Sequence, residues 1–337
     1  MSGAVVDEYR PPDPHPGAES VWSVDPLLRN VRLAPGRTGR GDEDRARQSW
    51  FRYGPVRPFR VPAPPGTRRA RAELAAALER REFRLEFQPI VAVTGGRLEG
   101  FEALLRWRHP RRGVLRPGDF LGEAEGAGAL RHVTPFVLRA ACEAAARWNV
   151  GAPHDLAVSI NLSGSQLRQP ELTELVAAAL DEHELDPSRL WFEIDENTGA
   201  REARSRLGTL LELRRLGTRL ALDDFGTGWA SIGCLRDLPV DAVKIDRSLV
   251  QQSDTRRGAR VLAACADIAH ALGIATVAEG IETAHELALV HSLGCEFGQG
   301  NYFGRPVPRF AADRTALLGW PWPLARALST TAEVSDG

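Results

Sequence analysis

"RLALDDFGTGWASIGCLRDLPVDAVKID", residues 219–246, holds two short apolar runs, "RLALDD" and "DAVKID", and each ends in acid. Four further short apolar runs carry an acid or amide at or one residue from their end: "DLAVSIN" (155–161), "LWFEI" (190–194), "IATVAE" (274–279) and "CEFGQG" (295–300). Helical stretches separate them, and strands alternating with helices of roughly ten to fifteen residues indicate βα units and a parallel sheet. Ahead of them "RAELAAALERR" (71–81) reads as an amphipathic helix. "FRLEFQPIVAV" (83–93) and "RLEGFEALLRW" (97–107) read as two strands joined by a turn at Gly95-Gly96, where positive φ is easily reached. About eight strands over about 250 residues predict a single α/β domain, a (β/α)8 or TIM barrel. The opening hairpin modifies it, because one antiparallel strand then replaces a parallel one.

The flanks differ from this text. Eleven of the 23 prolines fall in residues 1–67, with no sustained apolar period, so too little apolar surface is available there to offset ordering entropy. Residues 1–67 are therefore expected to be a disordered Pro- and Arg-rich arm or a tail for a protein partner that the sequence does not identify. The barrel is expected over 68–318, and 319–337 reads as a frayed C-terminal tail.

Charge and cysteine usage narrow the function. A net charge of −1 offers no footprint for a nucleic-acid polymer or an anionic membrane, so an anionic ligand must be met locally. The longest apolar run, 261–278, is broken by Asp267 and His270, which predicts no membrane span. The N-terminus shows no apolar core of a secretory signal, and a cytoplasmic location is expected. Cys142, Cys234, Cys265 and Cys295 lie too far apart for a zinc ribbon or a redox dithiol.

The ends of the strands carry polar residues that a packed core would not choose: Glu102, Asn161, Glu193, Asp223 with Asp224, Lys244 with Asp246, Glu279 and Gln299. In a (β/α)8 barrel the carboxyl ends of the strands converge on one face, so these residues would meet in one cleft. Acids crowded in a low-dielectric cleft repel unless cations sit among them. An all-oxygen donor set suits Mg²⁺ or Mn²⁺, with Ca²⁺ a competitor. The doublet Asp223-Asp224 can serve two ions, which suits an in-line phosphoryl displacement. Any single acid here could instead cap the next helix, but at least six strand ends bear a ligand-type residue.

Lys244 is the only lysine against 42 arginines. A compact ammonium fits between ligands and phosphate oxygens where a wide guanidinium does not, which assigns Lys244 to the attacking water or to developing negative charge. Glu102, Leu104 and Arg106 share one strand face, so a ligand acid and a cation for phosphate point into the same cleft.

The text "FQPIVAVTGGRLEGFEALLRW", with Glu-Ala-Leu at 102–104, resembles the signature of EAL domains, the bacterial cyclic-di-GMP phosphodiesterases. The similarity continues through "SINLS" (159–163), "FEIDEN" (192–197), "LDDFGTGWASI" (222–232), "VKIDRS" (243–248), "VAEGIET" (277–283) and "GQGNYFGRP" (298–306). The resemblance implies the EAL fold, a modified TIM barrel, and hydrolysis of cyclic-di-GMP to linear pGpG with two Mg²⁺ or Mn²⁺ ions. It implies that Glu102, Asn161, Glu193 and Asp223 hold one metal, while Asp223, Asp224 and Glu279 hold the second. Lys244, Glu279 and Glu102 become the catalytic residues, with Glu279 as general base. Gln88, Leu104, Arg106, Asp246 and Gln299 become substrate contacts, Glu196 anchors the "DFGTG" loop, and a homodimer is expected.

Two departures stand out. Asp195 replaces the usual Thr between two glutamates, and "GWAS" replaces a Tyr-Ser-Ser segment in the loop at 229–230. A non-catalytic cyclic-di-GMP receptor acting through a protein partner is the competing reading. Receptors of that kind typically lose the first Glu, a metal acid or the lysine, and this chain has all three.

Overall fold

The computed structural model describes residues 65–120, 130–152, 154–195, 206–227 and 235–318. The expected arm below residue 65, Glu196, the loop at 229–230, Cys234 and the 319–337 tail lie outside these residues.

Helix α1 (Pro65–Glu79) leads into β1 (Phe83–Ala92), β2 (Leu98–His109) and the short β3 (Gly113–Leu115). Then follow α2 (Leu130–Gly151), β4 (Ala157–Asn161), α3 (Gly164–Leu167), α4 (Leu172–Glu182) and β5 (Leu190–Asp195). The second half comprises α5 (Leu207–Arg215), β6 (Arg219–Phe225), β7 (Ala242–Ile245), α6 (Arg247–Gln251), α7 (Arg256–Ala271) and β8 (Ala275–Ala278). It ends with α8 (Ala284–Ser292), β9 (Phe297–Gln299), β10 (Val307–Pro308) and α9 (Arg309–Leu318).

Eight strands close on themselves in the order β1-β9-β8-β7-β6-β5-β4-β2 and back to β1, with β3 and β10 added outside the ring. Within the ring β1 alone is antiparallel to both neighbours, β2 and β9, while β4 through β9 run parallel. The hairpin creates this exception. Gly95 (φ 82°) and Gly96 (φ 68°) turn the chain back within five residues, too few for the helical crossover that a parallel pair needs. The α/β barrel with one antiparallel strand is therefore the observed fold.

Two cores follow from strand alternation. Outward side chains such as Val158, Phe192, Leu220, Leu222 and Val243 pack against the helices. Inside the ring a smaller cluster fills the base: Ile90, Ala157, Trp191, Ala221, Ala242, Ala275, Val277 and Phe297. The four alanines leave the room that Trp191 and Phe297 fill, so the base is a solid plug rather than a pore. None of the described helices is long and apolar enough to cross a membrane.

Candidate active site

Two residues above that plug, the inward positions change from apolar to polar. Alternation carries Ala157 to Ser159 and Asn161 on β4, Trp191 to Glu193 and Asp195 on β5, Ala221 to Asp223 on β6, and Ala242 to Lys244 on β7. Pairing sets the heights: Glu102 lies opposite Gln88 and beside Ser159, Asn161 beside Glu193, and Asp195 beside Asp223. The strand-end residues read from the sequence thus converge at one mouth.

Lys244 is the hub. Its Nζ lies 2.6 Å from Glu279 Oε1, 2.8 Å from Glu193 Oε2, 3.5 Å from Glu102 Oε2 and 3.6 Å from Asp223 Oδ1. Only 2 % of its surface is exposed. Burial alone would lower its pKa, but Asp223, Glu102, Glu193 and Glu279 outweigh it and hold the ammonium well above the ordinary lysine value. Glu102 is further bound by donors from either side, Asn161 Nδ2 at 2.7 Å and Gln299 Nε2 at 2.6 Å. Gln299 also donates to Gln88 Oε1, and Gln88 to the Gly304 carbonyl.

One ammonium cannot balance four carboxylates, and the acids respond. Burial and the neighbouring Glu102 charge push Glu193 well above the ordinary carboxylate range. For Glu102 burial is outweighed by the Lys244 charge and the Gln299 and Asn161 donors, so it lies below that range. Burial and mutual repulsion thus set Glu193 and Glu102 apart in opposite directions. Burial lifts Asp223 as well, lifts Glu279 to about 8, and with the Asp223, Asp195 and Asp246 charges lifts Asp224 to about 6.

The doublet works because of a backbone irregularity. Successive residues of a regular strand face opposite ways, but β6 shifts register against β7 between Leu222 and Phe225, and Asp224 takes φ 56°. Asp tolerates this left-handed conformation better than most residues. Oxygens of Asp223, Asp224 and Glu279 then come within 4.8 Å of one another. Surplus negative charge, hard oxygen donors and short separations fit one or more divalent cations of the Mg²⁺ or Mn²⁺ kind.

Other expected residues are placed differently. Leu104 and Arg106 stand above Glu102 on the β2 wall, and Arg106 turns to Glu86, its Nε donating to Oε2 at 2.9 Å. Asp246 caps α6, where its Oδ1 accepts from the Ser248 backbone N–H at 2.9 Å. Sequence reasoning passed over Arg84, Glu86 and Ser159. The first two were within reach, since alternation along "FRLEFQ" puts them on the face of Gln88. Ser159 Oγ and Gln299 Oε1 are buried at the floor without a hydrogen-bond partner among the described residues.

A closed α/β barrel with an acid-lined mouth and one buried ammonium is the class defined by fold and site. Residues 71–306 match the family model of the EAL domain, and the chain belongs to the EAL domain family. The bifunctional diguanylate cyclase/cyclic di-GMP phosphodiesterase MucR of Pseudomonas aeruginosa is 38 % identical over 237 residues, which cover 70 % of this chain and 35 % of MucR. The chain spans about a third of the length of the curated relatives it matches. A solved MucR phosphodiesterase in complex with c-di-GMP superposes with a TM-score of 0.68 at 36 % identity, covering 72 % of this chain and 99 % of that one. The EAL domain of FimX from P. aeruginosa, bound to c-di-GMP, gives 0.64 at 28 % identity, covering 71 % of this chain and 96 % of that one.

Proposed function

We propose that this protein is a cyclic-di-GMP phosphodiesterase that opens one phosphodiester of the ring to give linear pGpG. One observation carries the reading: a single buried ammonium contacts carboxylates from three different strands and from the turn after a fourth, an arrangement with no purpose in packing. The MucR phosphodiesterase complex supplies the substrate class.

In this reading Glu102, Asn161, Glu193 and Asp223 hold one divalent ion, and Asp223, Asp224 and Glu279 hold a second. Bound ions supply Lewis acidity and charge neutralisation for in-line displacement at phosphorus. Divalent charge held there would offset the burial that raises Glu193 and Glu279. Ionised Glu279 then accepts a proton from the attacking water, and Lys244 steadies the growing negative charge. The water oxygen bonds to phosphorus, the bond from phosphorus to the ribose O3′ breaks, and O3′ leaves as a free hydroxyl, its proton balanced by the one that Glu279 took from water and returns directly or through solvent. Gln88, Gln299, Leu104, Arg106 and Asp246 line the substrate's approach. The catalytic unit is 68–318, with 1–67 and 319–337 as appended segments.

The test is incubation with cyclic-di-GMP and Mg²⁺ or Mn²⁺ followed by separation of the products. Formation of pGpG that disappears in Glu102→Ala supports the enzyme. Tight binding without turnover supports the receptor and overturns this reading.

A further inference from the structure

Above Gln88 and Glu102 the β1–β2 wall carries an ion cluster that neither the metal chemistry nor the base of the barrel uses. Direct partners of an antiparallel pair share a face, so Gln88/Glu102, Glu86/Leu104 and Arg84/Arg106 rise in three steps from the acid nest to the rim. Glu86 takes a guanidinium on each oxygen: Arg84 Nη2 donates to Oε1 at 2.6 Å and Arg106 Nε to Oε2 at 2.9 Å. Arg106 Nη1 is held by the Leu105 carbonyl at 2.9 Å. The Arg84 side chain is 30 % exposed and that of Arg106 9 %.

Two guanidiniums on one carboxylate leave a surplus positive charge, and donors remain to be used. Arg84 Nε is buried with no acceptor among the described residues. A packing role would pair the two charges one to one. A cyclic dinucleotide carries two phosphodiesters; one must reach the acids and their ions, and the other stays outside, where the acid-lined mouth repels it. We propose that Arg84 and Arg106 form a two-armed clamp for the non-scissile phosphodiester, with Glu86 as the residue that positions both arms. This rests on the cyclic-di-GMP reading above and adds Arg84 as a substrate-binding residue and Glu86 as a positioning residue. Fork-shaped donors suit phosphate oxygens, and a carboxylate behind them removes the entropy that free arginine side chains would lose on binding.

The experiment is steady-state kinetics with cyclic-di-GMP and Mn²⁺ on wild type, Arg84→Ala, Glu86→Gln and the double variant. Arg84→Ala is expected to raise KM about tenfold, the worth of one charge-assisted contact, with little change in kcat. Glu86→Gln, which keeps shape, is expected to raise KM several-fold, Arg84→Lys to recover part of the loss, and the double variant to fall short of the product of the singles. Unchanged KM in both single variants, with only the thermal midpoint altered, would reduce the cluster to an ion-pair network and overturn the clamp. If wild type binds without turnover, the same comparison is read in Kd and the enzyme reading, not the clamp, has failed. Absence of both binding and turnover in wild type sinks the two together.

Discussion

Lys244 Nζ and Glu279 Oε1 lie 2.6 Å apart across β7 and the turn after β8. The ammonium therefore touches the acid assigned to take the proton of water, and it does so from a position that admits no wider group. Replacement by Arg overfills a site 2 % exposed and spreads the charge over a plane, at a cost of about 1–3 kcal/mol in packing. Turnover by Lys244→Arg is expected to fall about 10²- to 10³-fold, as for loss of one preorganised donor. Measurement of kcat beside a thermal melt separates the two effects, and full turnover would contradict the role given to the ammonium.

The acid nest gives stability a definite pH dependence. Burial raises Asp224 from 3.8 to about 6 and Glu279 from 4.5 to about 8, so the metal-free fold holds protons that the unfolded chain has released. Their stabilising contribution is complete below the unfolded values and disappears as pH climbs toward about 8. Mn²⁺ bound by these acids would replace those protons. The gap in thermal midpoint between Mn²⁺-loaded and EDTA-treated protein is expected to widen from about pH 4.5 to about pH 8, and a gap that narrows would refute the assignment.

Asp195 stands beside Asp223 in register and adds to the charge that raises Asp224. Its replacement by the Thr usual in the family removes one negative charge from a half-wet site. The Kd for Mn²⁺ is expected to rise about tenfold, or about 1.4 kcal/mol, as read by titration calorimetry. No change would place Asp195 outside the ion-binding field.

Below the site, Trp191 fills the base of the barrel between small neighbours and is 2 % exposed. Trp191→Ala is expected to cost about 3–5 kcal/mol of stability, measurable by urea denaturation. A loss below about 1 kcal/mol would mean that the plug collapses onto the cavity more readily than its ring of β-strands suggests.

Much of this was legible in the residues. Short apolar runs between helical periods foretold the barrel, and Gly95-Gly96 foretold which strand would run backwards. Acids at the ends of those runs foretold the mouth, because alternation fixes which side chains enter the lumen once the plug below is known. The bulge at Asp224 was not legible, since no residue pattern marks a register shift of two strands distant in sequence. Nor was the second employment of Asp246, whose helix cap depends on where α6 begins. The pairing of Arg84 and Arg106 through Glu86 needed the register of β1 on β2, which a hairpin of unknown loop geometry leaves open.

Metal stoichiometry tests the gathered oxygen donors most directly. Equilibrium dialysis against Mn²⁺ is expected to leave two ions per chain in wild type. The variant Asp223→Asn, which removes the acid proposed to serve both ions, is expected to hold at most one. A wild-type protein that keeps no ion, or an Asp223→Asn protein that still keeps both, would contradict the account.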